Sequence, residues 1–325
     1  MIPDKIREIL KRQHYRIVGR HSAVQVCRWT KKSIRDEGVC YKEKFYGIKS
    51  HLCCQMTPAV MWCPNKCLHC WRAIELTLGE KLGKDVDSPS EIIDGCIAAQ
   101  RKLLQGFNKR SHANQEKYLE AQEPMQFAIS LSGEPTVYSK VGGLIEELRR
   151  RGKTSFLVTN GLYPEKLREL AKEKQLPTQL YISVNAGNKK LFEKISRSCL
   201  KDAWMRLDES LGIMASLKTR TVFRINLVLG LNMSAGNVKE FADLIVKTKP
   251  RFIEVKGFMS VGYARERLAY ERMPRHEDIQ KFSKDLVKEL NKLGEKYKIL
   301  NEQEFSRVCV LGKKKGELRI KAGKI

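Results

Sequence analysis

The chain has 325 residues, 42% of them hydrophobic and ten of them cysteine, enough apolar material to bury one large core. Lysine and arginine total 62 against 37 acidic residues, a formal charge of +25 whose lopsided excess favours a polyanionic partner, nucleic acid above all. No apolar stretch reaches the ~18 residues of a membrane helix, and Asp4 and Glu8 interrupt a basic N-terminus without an apolar signal core, so neither a membrane span nor a secretory leader is expected and the cytoplasm is the expected compartment.

In chain order, residues 1–50 read as an extension: a basic amphipathic helix, then an irregular stretch carrying Cys27 and Cys40, whose metal would be its main constraint. From about residue 52 to 260, strand-like apolar runs alternate with amphipathic helical stretches, the pattern of a parallel sheet built from βα units. Strands are expected at 56–62, 125–131, 154–159, 179–185, 221–229 and 252–258, and helices at 90–105, 139–151, 164–174, 201–217 and 235–248. Ser88-Pro89-Ser90-Glu91 and Tyr163-Pro164-Glu165 read as helix starts. The polar segment 107–123 reads as a long exposed loop. Residues 261–325 form a basic C-terminal extension with another helix, a late strand near 304–311 and the tail Lys313-Lys314-Lys315. Six repeats in 51–260 imply an α/β fold, a partial (β/α)6 barrel of the TIM type with N- and C-terminal extensions, whose site gathers at the C-terminal ends of the strands.

Cys63, Cys67 and Cys70, spaced C-x3-C-x2-C, follow the first expected strand directly, on that face. A four-iron, four-sulfur (4Fe-4S) cluster takes four soft ligands, so three thiolates leave one iron open to a chelating substrate. The spacing resembles that of radical S-adenosylmethionine (SAM) enzymes. That resemblance implies that the methionyl part of SAM chelates the open iron and that SAM is split into methionine and a 5'-deoxyadenosyl radical. A zinc site using His69 competes, although zinc sites usually bring two paired arms and no second arm is present. Upstream, Cys27, Cys40 and Cys53 fall at C-x12-C-x12-C and point to a second cluster with an open iron. Scattered core thiols and disulfides are the other readings. Cys54 could replace Cys53, since neighbours on a strand face opposite ways. Cys96, Cys199 and Cys309 lie in apolar settings and read as core.

Further polar groups fall at strand ends. Gly133 in Ser132-Gly133-Glu134-Pro135 allows a ligand close to the backbone, and Glu134 can accept from a cationic amine. The triplet resembles the G-G-E element with which radical SAM enzymes hold the methionyl amino group, with Ser132 in place of the first glycine. Ser183 and Asn185 share one face of their strand and suit ribose hydroxyls or the methionyl carboxylate. Thr159 and Asn160 occupy a similar tip, as do Arg224 and Asn226, and Arg224 could grip a carboxylate bidentately. A turn or a satisfied interior polar group is the plain alternative for each.

With both cysteine triplets in view, the chain resembles the archaeal single-domain type of tRNA 4-demethylwyosine synthase, over most of its length. That resemblance implies condensation of N1-methylguanosine, just 3' of the tRNA anticodon, with two carbons of pyruvate to give the tricyclic wyosine precursor. It implies two 4Fe-4S clusters, SAM, pyruvate and tRNA, with the second cluster holding pyruvate beside the first. No flavodoxin-like domain of the eukaryotic kind is expected, so an external electron donor is, and the chain is expected to act as a monomer. Lys42, two residues after Cys40, is the expected carrier of pyruvate as a Schiff base, with Lys256 as alternate. Arg28, Trp29, Lys31, Lys32, Tyr263, Arg265 and Arg267 are candidate RNA contacts, because unpaired loops are read by stacking and charge. Arg149-Arg150-Arg151 reads equally as the solvated end of a helix. A methylating or methylthiolating radical SAM enzyme, or a noncatalytic metal-stabilised RNA-binding protein, remain the alternatives.

Overall fold

The computed structural model describes residues 2–108 and 112–320. Ten strands form one sheet: β1 (Arg16–Val18), β2 (Ser22–Gln25), β3 (Cys53–Thr57), β4 (Gln126–Ile129), β5 (Thr154–Thr159), β6 (Gln179–Val184), β7 (Arg220–Leu227), β8 (Phe252–Gly257), β9 (Lys298–Gln303) and β10 (Val308–Gly312). Their order is β1-β2-β3-β4-β5-β6-β7-β8-β10-β9. The six strands β3 to β8 are parallel, as the βα alternation requires. They form the staves of the expected partial barrel.

Eleven α-helices occur among the described residues: α1 (Asp4–Arg12), α2 (Arg28–Ile34), α3 (Tyr41–Tyr46), α4 (Pro89–Leu104), α5 (Gln115–Glu120), α6 (Val141–Arg150), α7 (Pro164–Lys172), α8 (Lys189–Ser196), α9 (Ala203–Met214), α10 (Ala235–Thr248) and α11 (His276–Lys292). Helix α4 starts as its sequence dictates: Pro89 stands in the first turn, and Ser88 and Glu91 satisfy one another's backbone N–H groups in a capping box. Strand alternation then sorts the core into two faces. Met56, Phe127, Leu157, Ile182, Phe223 and Val255 pack outward against the helices, whereas Phe156, Tyr181, Val222 and Phe252 face inward against Tyr41, Phe45 and Tyr46 of α3. A short N-terminal helix thus fills part of the barrel's interior.

Several boundaries differ from the sequence expectation. The first parallel strand is Cys53–Thr57 rather than 56–62, and Ala59-Val60-Met61-Trp62 forms a buried turn in which Met61 has φ +72°. That run is apolar because it packs with Ile2, Ile6, Leu10 and Tyr15, and periodicity alone does not separate a short buried turn from a buried strand. The two extensions are not appendages. β2 pairs antiparallel with β3, and β10 pairs antiparallel with β8, so each extension continues the sheet. The single late strand near 304–311 is a hairpin of β9 and β10 turning through residues 304–306. Segment 107–123 contains α5, whose Tyr118 packs with Val26, Ile34 and Leu104; residues 109–111 lie outside the described part, as do 321–325 of the tail. Between β6 and β7 stand two helices, α8 and α9, where one was expected. Cys96 and Cys309 are buried as expected, but Cys199 is exposed, in a loop after α8 where its backbone N–H donates to Pro64 O (2.9 Å).

Candidate active site

A cavity of about 300 Å³ opens at the C-terminal ends of the parallel strands. Cys63, Cys67, Cys70, Gly133, Glu134, Thr159, Asn160, Ser183, Asn185 and Asn226 all line it. The cysteine loop is fixed from several sides: Cys63 N–H donates to Gly79 O (2.8 Å), Leu68 N–H to Ile195 O (3.0 Å) and Lys66 N–H to Ser196 O (3.0 Å), so the unforeseen α8 shoulders the loop. Gly133 adopts φ +73°, and a Cβ there would overlap the carbonyl oxygen of Ala59. This close crossing lets Glu134 N–H donate to Trp62 O at 2.7 Å.

Each sulfur of the triplet faces a nitrogen donor from a different part of the chain: Asn160 Nδ2 to Cys63 (3.8 Å), Asn185 Nδ2 to Cys67 (3.9 Å) and Arg72 Nε to Cys70 (3.3 Å). Such donors stabilise thiolate charge and tune a cluster's potential. Glu134 is buried, and its carboxylate accepts from Thr136 Oγ1 (2.7 Å), Thr159 Oγ1 (2.6 Å) and Asn160 N–H (2.7 Å). Burial raises its pKa above the usual carboxylate value in spite of these donors. Asn65 Oδ1, His69 Nδ1, Arg72 Nη1 and Asn185 Oδ1 are buried without hydrogen-bond partners, and all four residues line the cavity. Unpaired buried polar atoms gathered on one wall are what a polar ligand would satisfy. Asn65 and Arg72 were missed in the sequence, although both adjoin the cysteine motif.

A tetrahedral zinc with bonds of ~2.3 Å to sulfur needs its sulfurs ~3.8 Å apart. Among the described residues, the trio of His, Cys, Asp or Glu with all ligand atoms within 4.8 Å is His276, Glu302 and Cys309, and neither cysteine triplet reaches that density. The wider spread suits a multi-iron cluster better than one ion, and the donor set is soft enough to hold it.

The second triplet lies deeper. Cys27 and Cys40 precede the first turns of α2 and α3, while Cys53 opens β3. Burial pushes the Cys40 and Cys53 thiols up to about 12; Cys27 adds to both shifts and the Lys42 ammonium opposes both, so the three thiols and Lys42 form one electrostatic group. Cys54 points the other way, into the outer core beside Cys96. Lys42 is itself buried, with Nζ 5.2 Å from the ring centre of Phe156 and 5.3 Å from that of Tyr181. Burial, helped by the Arg224 charge, lowers its pKa from the ordinary lysine value. Lys256 lines the upper cavity, donates to Ser306 O at 2.8 Å and is brought down to about 8, chiefly by burial, with the Cys40 thiolate pulling the other way. It therefore stands between the two triplets.

Arg224 does not offer its guanidinium to a ligand, contrary to expectation. It lies directly across from Glu254 on the neighbouring strand, donates to that fully buried carboxylate through Nε (3.1 Å) and Nη2 (2.8 Å), and stacks on Tyr181 with 4.3 Å to the ring centre. Glu254 also accepts from Tyr41 Oη (3.2 Å) and Tyr46 Oη (2.6 Å), which ties α3 to the barrel wall. Strand register, absent from a linear sequence, decides this pairing. Arg267 is likewise engaged: it donates to Leu68 O (3.3 Å), Arg72 O (3.0 Å) and Cys70 O and pairs with Glu75 (2.9 Å), so it braces the cysteine loop rather than presenting a free cation. Arg28 and Arg265 are exposed, with Trp29, Lys31, Lys32 and Tyr263 half-buried. Arg149, Arg150 and Arg151 pair with Glu146, Glu147 and Asp94 at the end of α6.

Residues 58–245 match the radical SAM superfamily model, and residues 247–313 match a model for wyosine base formation. The S-adenosyl-L-methionine-dependent tRNA 4-demethylwyosine synthase of Pyrococcus abyssi is 45% identical over 310 residues, 95% of this chain and 89% of its own length. A solved structure of TYW1 with a lysine-pyruvate adduct bound superposes with a TM-score of 0.84 at 34% identity, over 98% of each chain. The crystal structure of an archaeal TYW1 gives a TM-score of 0.77 at 31% identity, over 98% of this chain and 99% of that one. With the cavity and its cysteines in view, the conclusion is that the chain belongs to the radical SAM tRNA 4-demethylwyosine synthase family.

Proposed function

We propose that this chain condenses N1-methylguanosine of a tRNA anticodon loop with pyruvate to form 4-demethylwyosine, using two 4Fe-4S sites around one chamber. Cys63, Cys67 and Cys70 hold the first cluster, and Cys27, Cys40 and Cys53 the second. When bound, the first cluster and SAM supply a 5'-deoxyadenosyl radical, with the electron coming from an external donor. Glu134, already held by Thr136 and Thr159, receives the methionyl ammonium of SAM. Ser183, Asn185 and Asn226 supply hydrogen-bonding groups for its ribose and carboxylate.

The observation that carries this reading is a buried amine inside the barrel, Lys42, two residues after Cys40 and with Nζ 5.2 Å and 5.3 Å from the ring centres of Phe156 and Tyr181. A lysine whose charged form is disfavoured has more free amine at neutral pH and attacks ketones. Lys42 Nζ adds to the keto carbon of pyruvate, the carbonyl oxygen leaves as water, and an imine holds the three-carbon unit facing the first site. Arg28, Lys31, Lys32 and Arg265 receive tRNA phosphates, and Trp29 and Tyr263 stack on bases. A tRNA substrate fits work in the cytoplasm; among the described residues no helix is long and apolar enough to cross a membrane.

Anaerobically reconstituted protein incubated with SAM, dithionite, N1-methylguanosine tRNA and carbon-labelled pyruvate tests the proposal. Mass spectrometry should find two labelled carbons in a new tricyclic purine. Label arriving from the SAM methyl group instead would favour a methyl-transfer enzyme, and binding of tRNA without SAM cleavage would favour a noncatalytic binder.

A further inference from the structure

On the outer side of the sheet, where α11 crosses the β9–β10 hairpin, three side chains of different chemistry converge. His276 Nε2 lies 3.4 Å from Glu302 Oε2, and Cys309 Sγ lies 3.7 Å from the same oxygen. All three ligand atoms fall within 4.8 Å of one another. A tetrahedral ion with bonds of ~2.0–2.1 Å to nitrogen and oxygen and ~2.3 Å to sulfur would set N···O near ~3.4 Å and S···O near ~3.6 Å. The N···O and S···O edges already have that spacing.

The imidazole is the second observation. His276 is only 9% exposed, its Nδ1 is buried with no partner, and its Nε2 points at the carboxylate. An ion would engage Nε2, the nitrogen on the carboxylate side of this buried ring, and Nδ1 takes no part in the site. Gln280 Nε2 donates to Glu302 Oε2 at 2.9 Å and orients the carboxylate, the usual work of a group behind a metal ligand. The Glu302 side chain is 43% exposed, which leaves a solvent position for a fourth ligand.

We propose that His276, Glu302 and Cys309 bind one borderline divalent cation, zinc by the character of the donors, which clamps α11 onto the C-terminal hairpin. The clamp is separate from both cysteine triplets yet mechanically joined to the deeper one. Lys44 Nζ donates to Glu302 O (2.7 Å) and Gln303 Nε2 to Val39 O (3.0 Å), so the hairpin supports the segment that carries Cys40. On the same hairpin, Ser306 O receives Lys256 Nζ (2.8 Å) and Arg307 O receives Gly257 N–H (2.8 Å).

The full chain with its clusters reconstituted, equilibrated with zinc chloride and freed of excess, provides the test. Elemental analysis should give one zinc per chain beside the iron, and zinc-edge absorption should report one sulfur and otherwise nitrogen or oxygen neighbours. His276→Gln and Glu302→Gln should each lose the zinc and its rise in thermal midpoint while keeping the iron content and reductive SAM cleavage. Glu302 is half-exposed, so its replacement keeps the fold even if His276→Gln does not. Absence of zinc from the parent protein, retention of zinc by Glu302→Gln, or zinc bound through several sulfurs at the expense of iron would each overturn the proposal.

Discussion

The rim cavity with its cysteine loop and the second cysteine triplet are built on opposite plans. Cys63, Cys67 and Cys70 come from one loop, Cys63 and Cys67 meet donors from distant Asn160 and Asn185 while Cys70 meets its own loop's Arg72, and buried atoms of Asn65, His69, Arg72 and Asn185 lack partners. Cys27, Cys40 and Cys53 come from three separate elements, beside a charge network in which Glu254 is saturated by Tyr41, Tyr46 and Arg224. The first arrangement is prepared for a ligand that comes and goes. The second keeps a helix and its lysine in one place. A rim with unmet hydrogen bonds gains affinity when it fills, whereas a satisfied network gains only rigidity.

The sharpest way to break this comparison is to remove one sulfur from each triplet. Cys67→Ala should lose about four irons per chain and all reductive SAM cleavage, whereas Cys40→Ala should also lose about four irons but still cleave SAM while making no tricyclic product. Iron analysis and 5'-deoxyadenosine assay decide; loss of SAM cleavage in both would merge the two sites into one. Next in size is Gly133→Ala. Its Cβ would press on the Ala59 carbonyl in a backbone conformation that side chains avoid, so the loop must shift. Equilibrium SAM binding should fall by at least about tenfold, equivalent to ~1.4 kcal/mol, with both clusters retained.

Glu254→Ala leaves the Arg224 charge buried without its partner, a loss of ~3–5 kcal/mol in such settings. Thermal unfolding should show it, and the second cluster should be lost before the first, because Tyr41 and Tyr46 anchor the helix that follows Cys40. Glu134 offers a pH test. Its pKa is raised by burial, and only its ionised form attracts the methionyl ammonium, so SAM affinity should rise with pH through that raised value and level off above it. In Glu134→Gln the affinity should be weaker and flat over the same range. The smallest effect belongs to Cys54→Ala, which should cost about 1 kcal/mol of packing and no iron, while Cys53→Ala loses the second cluster.

What the sequence disclosed follows the same division. The rim was legible because its residues are contiguous or stand at strand tips: the cysteine spacing, Gly133-Glu134 and the alternation of Ser183 with Asn185 need only local geometry. The six parallel strands were legible from βα alternation, although the apolar turn Ala59–Trp62 mimicked a strand. Arg224 could not be assigned, because its partner Glu254 lies thirty residues on and meets it only through the β7–β8 register. Arg267 reaches back to the cysteine loop across nearly two hundred residues, which no local pattern encodes. The β1–β2 hairpin and β9 were hidden for a related reason: they are short, and their pairing with β3 and β10 is what makes them strands, whereas β10 showed as the late strand near 304–311.

Whether Lys42, buried inside the barrel beside the second triplet, carries pyruvate is decided by reductive trapping. Protein with both clusters intact is treated anaerobically with pyruvate and borohydride, digested and mapped by mass spectrometry. The account predicts one lactyl-sized addition on Lys42, abolished in Lys42→Ala although the iron content is unchanged. An adduct on Lys256 instead, or no adduct in protein that still makes the tricyclic base, would contradict it.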